Sequence, residues 1–336
     1  MRTTAAFGVV ALAVAATATF VPASSAQDAP GAASGTTTVV AVGDIACQPG
    51  TPGYNKGNGR GKVCRQKSTA ALATSIDPDA VLMLGDLQYE DGYRRDYALA
   101  FDRTWGKPFL DRTDRSANRM WPVPGNHDYR DPHAVGYFSY FNGGTPAKPA
   151  PTGIAGATHK GWYRYDGIPG WTLLALNADC TYLKGGCDQD SAQYTWLKKQ
   201  LNSTEQCTLA YWHQPLFNKG KEASAHGTRD WWRELYKAGA DLVLNGHDHT
   251  YQRFPRLSPA GKPDPRGIQQ ITVGTGGVDL TGFAKKPSQP SVVTKSNTTL
   301  GVLQLELGAG SYTWRFQRAT FPGNGQYSDS GSSTCV

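Results

Sequence analysis

A chain of 336 residues carries 34 Lys and Arg against 27 Asp and Glu, a formal charge of +7, with 7 His and 6 Cys. Gly and Pro make up nearly a fifth of it and charged residues only 18%, which excludes long helical bundles and coiled coils, while an aromatic content of 11% excludes disorder. The Lys and Arg are scattered, so the positive balance reads as a solvated surface and not as a nucleic-acid footprint, and the length suits one large domain or two small ones.

Arg2 precedes an apolar, Ala- and Val-rich stretch over 5–21, followed by Pro22 and the small residues Ala23-Ser24-Ser25-Ala26. A charged start, a hydrophobic middle and small residues before a cleavage point read as a secretory signal peptide over 1–26, cut after Ala26. The stretch is shorter than the roughly 20 residues a bilayer span needs and is broken by Thr17 and Thr19. No later segment is apolar enough to span, so the mature protein is expected to be secreted. Residues 27–36, mostly small, form a linker. All six cysteines lie beyond it and none forms a CxxC pair, which favours disulfides over a zinc ribbon. Many pairings are open. Proximity suggests Cys47–Cys64 and Cys180–Cys187, which leaves Cys207 to tie down the tail through Cys335; a free thiol pair is the alternative.

Short apolar runs then end repeatedly in a polar cluster. The run 36–42 stops at Gly43-Asp44, 80–84 at Gly85-Asp86, and 120–123 at Pro124-Gly125-Asn126-His127. Later, 171–176 ends at Asn177, 208–212 at His213, and 241–244 at Asn245-Gly246-His247. These read as buried strands, with helical spacing between them over 66–75, 93–101, 191–201 and 228–238. Alternation of strand and helix predicts an α/β layered core. Runs over 269–273, 301–307 and 311–317 have no helices between them, so part of the sheet is expected to be antiparallel. Residues 328–334 read as a Ser/Gly tail.

Open α/β sheets bind ligands at the carboxyl ends of their strands, where Asp44, Asp86, Asn126, His213 and His247 fall. Carboxylate, amide carbonyl and imidazole suit hard and borderline metal ions, and a carboxylate can bridge two. Such a pair clamps the attacking and leaving oxygens of a phosphoryl displacement. Other conspicuous residues have plainer readings. Trp231-Trp232 on an amphipathic helix reads as core, His133 and His159 as surface, and Gly274-Thr275-Gly276-Gly277 as a tight turn, since it lacks the Lys-Ser/Thr of a phosphate-binding loop. Asn202-Ser203-Thr204 and Asn297-Thr298-Thr299 are glycosylation sequons.

In order, Gly43-Asp44, Gly85-Asp86-Leu87-Gln88-Tyr89, Gly125-Asn126-His127-Asp128, Trp212-His213-Gln214-Pro215 and Gly246-His247-Asp248-His249-Thr250-Tyr251 resemble the five motifs of the calcineurin-like metallophosphoesterases. The Tyr three residues after Asp86 makes the resemblance closest to the purple acid phosphatases. Ala46 departs from the pattern, standing where the superfamily's His or the branch's Gly is usual. The resemblance implies a four-layer α/β/β/α fold, a mixed β-sheet sandwich flanked by helices, with a catalytic domain over 37–318 and a tail over 319–336. It implies that Asp44, Tyr89 and His249 bind one metal, Asn126, His213 and His247 bind the other, and Asp86 bridges them. A tyrosinate ligand calls for a strongly acidic ion, since free Tyr titrates near a pKa of about 10; Fe(III) fits, with Zn(II), Mn(II) or Fe(II) as partner. His127, and His226 in the loop after His213, are the expected catalytic residues, bonding phosphate or protonating the leaving oxygen.

The expected activity is hydrolysis of small-molecule phosphate monoesters by a metal-held hydroxide, with no stable nucleic-acid partner. A phosphodiesterase acting on nucleotides or phospholipid head groups is the second reading. A secreted binding protein that keeps the fold without turnover is the third, although it predicts a missing ligand and all seven positions are filled.

Overall fold

A computed structural model describes residues 1–3, 35–202, 207–286 and 288–336, the side chain of His226 excepted. All but three residues of the expected signal peptide, nearly all of the linker and part of the first sequon lie outside the described residues. Gly35–Val336 forms one compact unit.

Among the described residues two mixed sheets face each other. The first is built from β1 (Thr37–Val42), β2 (Ala80–Leu84) and β3 (Met120–Val123), joined later by β11 (Gly301–Gly308), β12 (Ser311–Arg318) and β13 (Asp329–Thr334), in the order β13-β12-β11-β1-β2-β3. The second comprises β4 (Tyr163–Tyr165), β5 (Trp171–Ala175), β6 (Cys207–Tyr211), β7 (Leu242–Asn245), β8 (Tyr251–Leu257), β9 (Ile268–Val273) and β10 (Thr294–Ser296), in the order β10-β8-β9-β7-β6-β5-β4. Strands β1, β2 and β3 are parallel, as are β5, β6, β7 and β9, whereas β11 to β13 run antiparallel to their neighbours.

Side-chain alternation along the strands generates the layers. Val39 and Ala41 of β1 join Leu82, Leu84, Leu209, Leu242, Ile271 and Leu305 in the core between the sheets. Val40, Val42, Val81 and Met83 point the other way, onto α1 (Gln66–Ile76), α2 (residues 94–109) and α3 (Val135–Phe141) through Ala73, Phe101 and Tyr137. On the far side, Leu174, Ala210 and Val243 meet α4 (Ala192–Leu201) and α5 (Arg229–Lys237), with Trp231 and Trp232 fully buried in that contact. The result is the four-layer α/β/β/α arrangement. Helix α2 is wound as a π-helix over Tyr97–Gly106, and the Phe101 N–H donates to Gln88 Oε1 (3.2 Å).

Two strands escape the sequence patterns. Pro255 argues against a strand at 251–257, yet β8 accommodates it at a register shift between Arg253 and Arg256. Residues 329–334, a Ser/Gly run without apolar alternation, add the edge strand β13 beside β12. That strand is held by side-chain bonds from the second sheet. Arg253 grips Asp329 through Nε on Oδ2 (2.7 Å) and Nη2 on Oδ1 (2.9 Å), and Tyr251 OH donates to Oδ2 (2.7 Å). The disulfide Cys207–Cys335 spans 128 residues and anchors the last strand to β6; Cys47–Cys64 and Cys180–Cys187 form the other two.

Burial pushes the Asp329 carboxyl up, but the Arg253 guanidinium and the Tyr251 hydroxyl outweigh it and hold it below its ordinary value. A lowered folded-state pKa contributes stability above the unfolded value, near 4, that disappears as pH falls through the folded one. Asp329→Asn is therefore expected to destabilise the protein at neutral pH by about 1.5–3 kcal/mol, the range for a lost charged hydrogen bond. In thermal melts across pH the gap from the wild type should close on acidification; a gap constant with pH would refute the role of the charge.

Candidate metal centre

The parallel strands of both sheets deliver their carboxyl ends to one edge. The Gly43 N–H donates to the Val273 carbonyl (3.0 Å), tying β1 of one sheet to β9 of the other, and Asp44 N–H donates to the Gly85 carbonyl (3.1 Å). Gly246 N–H donates to the His213 carbonyl (3.0 Å), which brings the β6 and β7 ends together. Asp44, Asp86 and His247 lie in the left-handed region, with φ of 61°, 49° and 73°. Such non-glycine conformations cost on the order of 1–3 kcal/mol each and cluster at functional sites. Gly125 is required by close approach: a Cβ there would stand 2.3 Å from Asp86 Oδ1 and 2.7 Å from His213 Cδ2.

The side chains fall into two groups that share Asp86. In one, Tyr89 OH lies 2.9 Å from Asp44 Oδ1, 3.2 Å from Asp86 Oδ2 and 2.9 Å from His249 Nε2, while that nitrogen is 3.3 Å from Asp44 Oδ1. In the other, ligand atoms of Asp86, His213 and His247 lie within 4.8 Å of one another, with His213 Nε2 3.0 Å from Asp86 Oδ2. Asn126 sits between Gly125, packed on Asp86, and His127, whose N–H donates to Asp86 Oδ1 (2.7 Å). The buried Oδ1 of Asn126 has no hydrogen-bond partner among the described residues.

The histidine tautomers follow from what their other nitrogens touch. His213 Nδ1 is 2.7 Å from the Leu84 carbonyl, which can only accept, so Nδ1 carries a proton and Nε2 is the lone-pair side. A neutral His213 would then aim a lone pair at the Asp86 carboxylate. Only a proton or a cation removes that repulsion. His249 Nδ1 bonds Asp279 Oδ1, turning its Nε2 inward. Histidines that bind metals characteristically give their second nitrogen to a carbonyl or carboxylate in this way.

The titration behaviour describes the same congestion. Burial opposes charge on His213, but Asp86 outweighs it and the ring is pushed up to about 10. Asp86 is correspondingly lowered, burial being overcome by the His213 charge. Burial and the His213 charge bring His247 down to about 4, so this ring is a neutral donor at ordinary pH. Burial and the Asp44 and Asp86 charges raise Tyr89 far above the usual phenol range, so its ionisation needs a strongly acidic cation nearby. A cluster of three anionic or ionisable oxygens, three imidazoles and an unpaired amide oxygen fits divalent and trivalent metal ions.

Other expected residues are placed as follows. The His127 ring lies on Tyr89, centroids 4.2 Å apart, and its Nδ1 donates to the Glu90 carbonyl (2.7 Å). The expectation for His226 concerns a side chain outside the described set. Ala46 is fully buried and its φ is not positive, so a Gly is not demanded there. In the Gly274–Gly277 turn the Gly274 and Gly276 N–H groups donate to the Thr250 and Gly43 carbonyls, as a structural turn would. His133 and His159 are exposed. Sequence reasoning missed Asp279, which has no motif signal of its own and is carried to His249 by that turn. It also missed Asp128 as the brace of its own motif: its carboxylate accepts from Gly125 N–H (2.9 Å) and Tyr97 OH (2.5 Å).

Comparison with known proteins shows what the chain is similar to. Residues 37–251 match the family model described as calcineurin-like phosphoesterase. Purple acid phosphatase 18 of Arabidopsis thaliana is 31% identical over 183 residues, 52% of this chain and 39% of the relative. The phosphoenolpyruvate phosphatase of Allium cepa is 27% identical over 248 residues, 68% of this chain and 49% of the relative. The chain thus spans half or less of the length of these curated relatives. The solved purple acid phosphatase of yellow lupin (Lupinus luteus) seeds shares the fold, with a TM-score of 0.67 at 19% identity over 90% of this chain and 54% of that one.

Proposed function

The chain belongs to the calcineurin-like phosphoesterase family, and on that premise we propose that it is a secreted dimetal phosphatase hydrolysing phosphate monoesters. The observation that carries the proposal is the pair of side-chain groups sharing Asp86, with His213 Nε2 aimed at Asp86 Oδ2 (3.0 Å) and the buried Oδ1 of Asn126 lacking a hydrogen-bond partner among the described residues. Asp44, Tyr89 and His249 would hold one ion, Asn126, His213 and His247 the other, and Asp86 both. A phenolate ligand at Tyr89 calls for a strongly acidic ion, Fe(III), on its side, with Zn(II), Mn(II) or Fe(II) opposite. When bound, the ions supply the charge that acidifies water and neutralises the phosphate oxygens. The signal-like residues 1–26 and the three disulfides support export.

The protein's own groups supply orientation and a proton. Asp279 and the Leu84 carbonyl fix two imidazoles with Nε2 inward, so no reorganisation is needed when substrate arrives. His127, held by the Glu90 carbonyl and by packing on Tyr89, has its Nδ1 proton engaged, so only as the imidazolium, protonated on both nitrogens, does it offer an Nε2 proton to a phosphate oxygen or to the leaving alcohol, returning to the neutral ring after the transfer. His226 is proposed for a related task on its place in the sequence alone.

His127→Ala is expected to lower turnover of p-nitrophenyl phosphate by about 10²–10⁴, the usual worth of a positioned proton donor, with metal content by elemental analysis unchanged; parallel loss of both would sink the assigned role. Tyr89→Phe should abolish visible charge-transfer absorption in the metal-loaded protein, and a colour that survives refutes iron–tyrosinate ligation. Comparable rates on bis(p-nitrophenyl) phosphate and the monoester would replace the monoesterase reading by a diesterase one.

A further inference from the structure

The roles above leave unused the loop after β5, closed by the Cys180–Cys187 disulfide. Strands β5 and β6 run in parallel with Ala175 beside Tyr211, and Leu176 N–H continues that ladder onto the Tyr211 carbonyl (2.9 Å). The loop therefore starts next to the strand that delivers His213. It is fastened there from several directions. Gln214, adjacent to His213, donates Nε2 to Asp179 Oδ1 (2.8 Å), Asn177 donates Nδ2 to Tyr129 OH (2.7 Å), and Tyr182 N–H donates to the Asp179 carbonyl (2.9 Å).

Tyr182 then lays its ring on that of Tyr129, with centroids 4.8 Å apart and planes 8° apart. Tyr129 lies two residues after His127, so this stack stands beside the turn that carries the expected proton donor. The two rings differ sharply in exposure: Tyr129 is 3% exposed and Tyr182 52%. One face of Tyr182 is covered by its partner ring, so its exposed surface belongs to the opposite face and the edge. A tyrosine on a cross-linked, hydrogen-bonded loop is a rigid contact that loses little conformational entropy on binding. A flat group placed on the open face would extend an existing two-ring stack to three.

We propose that Tyr182 is a specificity-determining platform for the leaving group, so that the site prefers aryl and nucleoside phosphate monoesters to aliphatic ones. This rests on the phosphomonoesterase reading above. The test compares AMP with glycerol phosphate on the full, metal-loaded protein. Tyr182→Ala is expected to lower kcat/KM for AMP about tenfold, mainly through KM, and to leave glycerol phosphate within about twofold, as loss of one base-on-aromatic stack predicts. Inhibition by inorganic phosphate should not change, and Tyr182→Trp should retain the preference for AMP. Equal losses on both esters, or no loss on either, overturn the proposal. Should the wild type turn over neither ester, the phosphatase reading fails by itself, and calorimetric titration with AMP decides the platform: tenfold weaker binding to Tyr182→Ala supports it, and equal affinity overturns it.

Discussion

Asp86 cannot occupy its place without positive charge close by. It is buried against the Tyr89 hydroxyl on one side and the lone-pair nitrogen of His213 on the other, and a carboxylate so desolvated costs several kcal/mol unless compensated. Nearly everything local follows from supplying that compensation and holding it still. Both carboxylate oxygens are engaged, Oδ1 by the His127 N–H and Oδ2 by the two rings. The left-handed backbone at Asp44, Asp86 and His247 aims their side chains at one point. Such strain survives only where the surroundings over-determine it, and here they are three buried cores and a lattice of backbone bonds between loops.

The layered fold makes that over-determination inexpensive in sequence. A parallel strand emerging from a core is buried on both faces, so its direction is set by hydrophobic packing over four or five residues before the functional side chain begins. The two sheets then need only be clamped near that edge, and Gly43 on Val273 does this with main-chain atoms alone. At the other end of the chain, the Arg253–Asp329 pair and the Cys207–Cys335 link fasten the last edge strand from the second sheet. The rim is made differently. The Cys180–Cys187 loop is an irregular segment fixed by a disulfide, by polar side-chain contacts and by Ala178 and Leu183 packed on the core beside α4 and α5, the kind of segment through which related folds vary what they bind.

The sequence by itself determined the strands that end at functional residues, the helices that cover them and the ligand candidates. Those signals are local: an apolar run of strand length, a glycine or proline, then a polar side chain. Burial on both faces wrote β2 and β3 into the sequence as continuous apolar stretches whose observed bounds are those expected, and the spacing of the cysteines already suggested the pairing found. What tertiary structure decided was whatever depends on irregular segments meeting across long distances in the chain. Asp279 reaches His249 only because a glycine turn packs on the first motif, β8 admits Pro255 only because a bulge absorbs it, and β13 pairs because Asp329 is caught by Arg253. None of these leaves a periodicity in the residues involved, since a single hydrogen bond or ring contact constrains one side chain and not a pattern. The stacking of Tyr182 on Tyr129 is of that kind, which is why the candidate metal ligands could be named from the sequence and the loop contacts beside them could not.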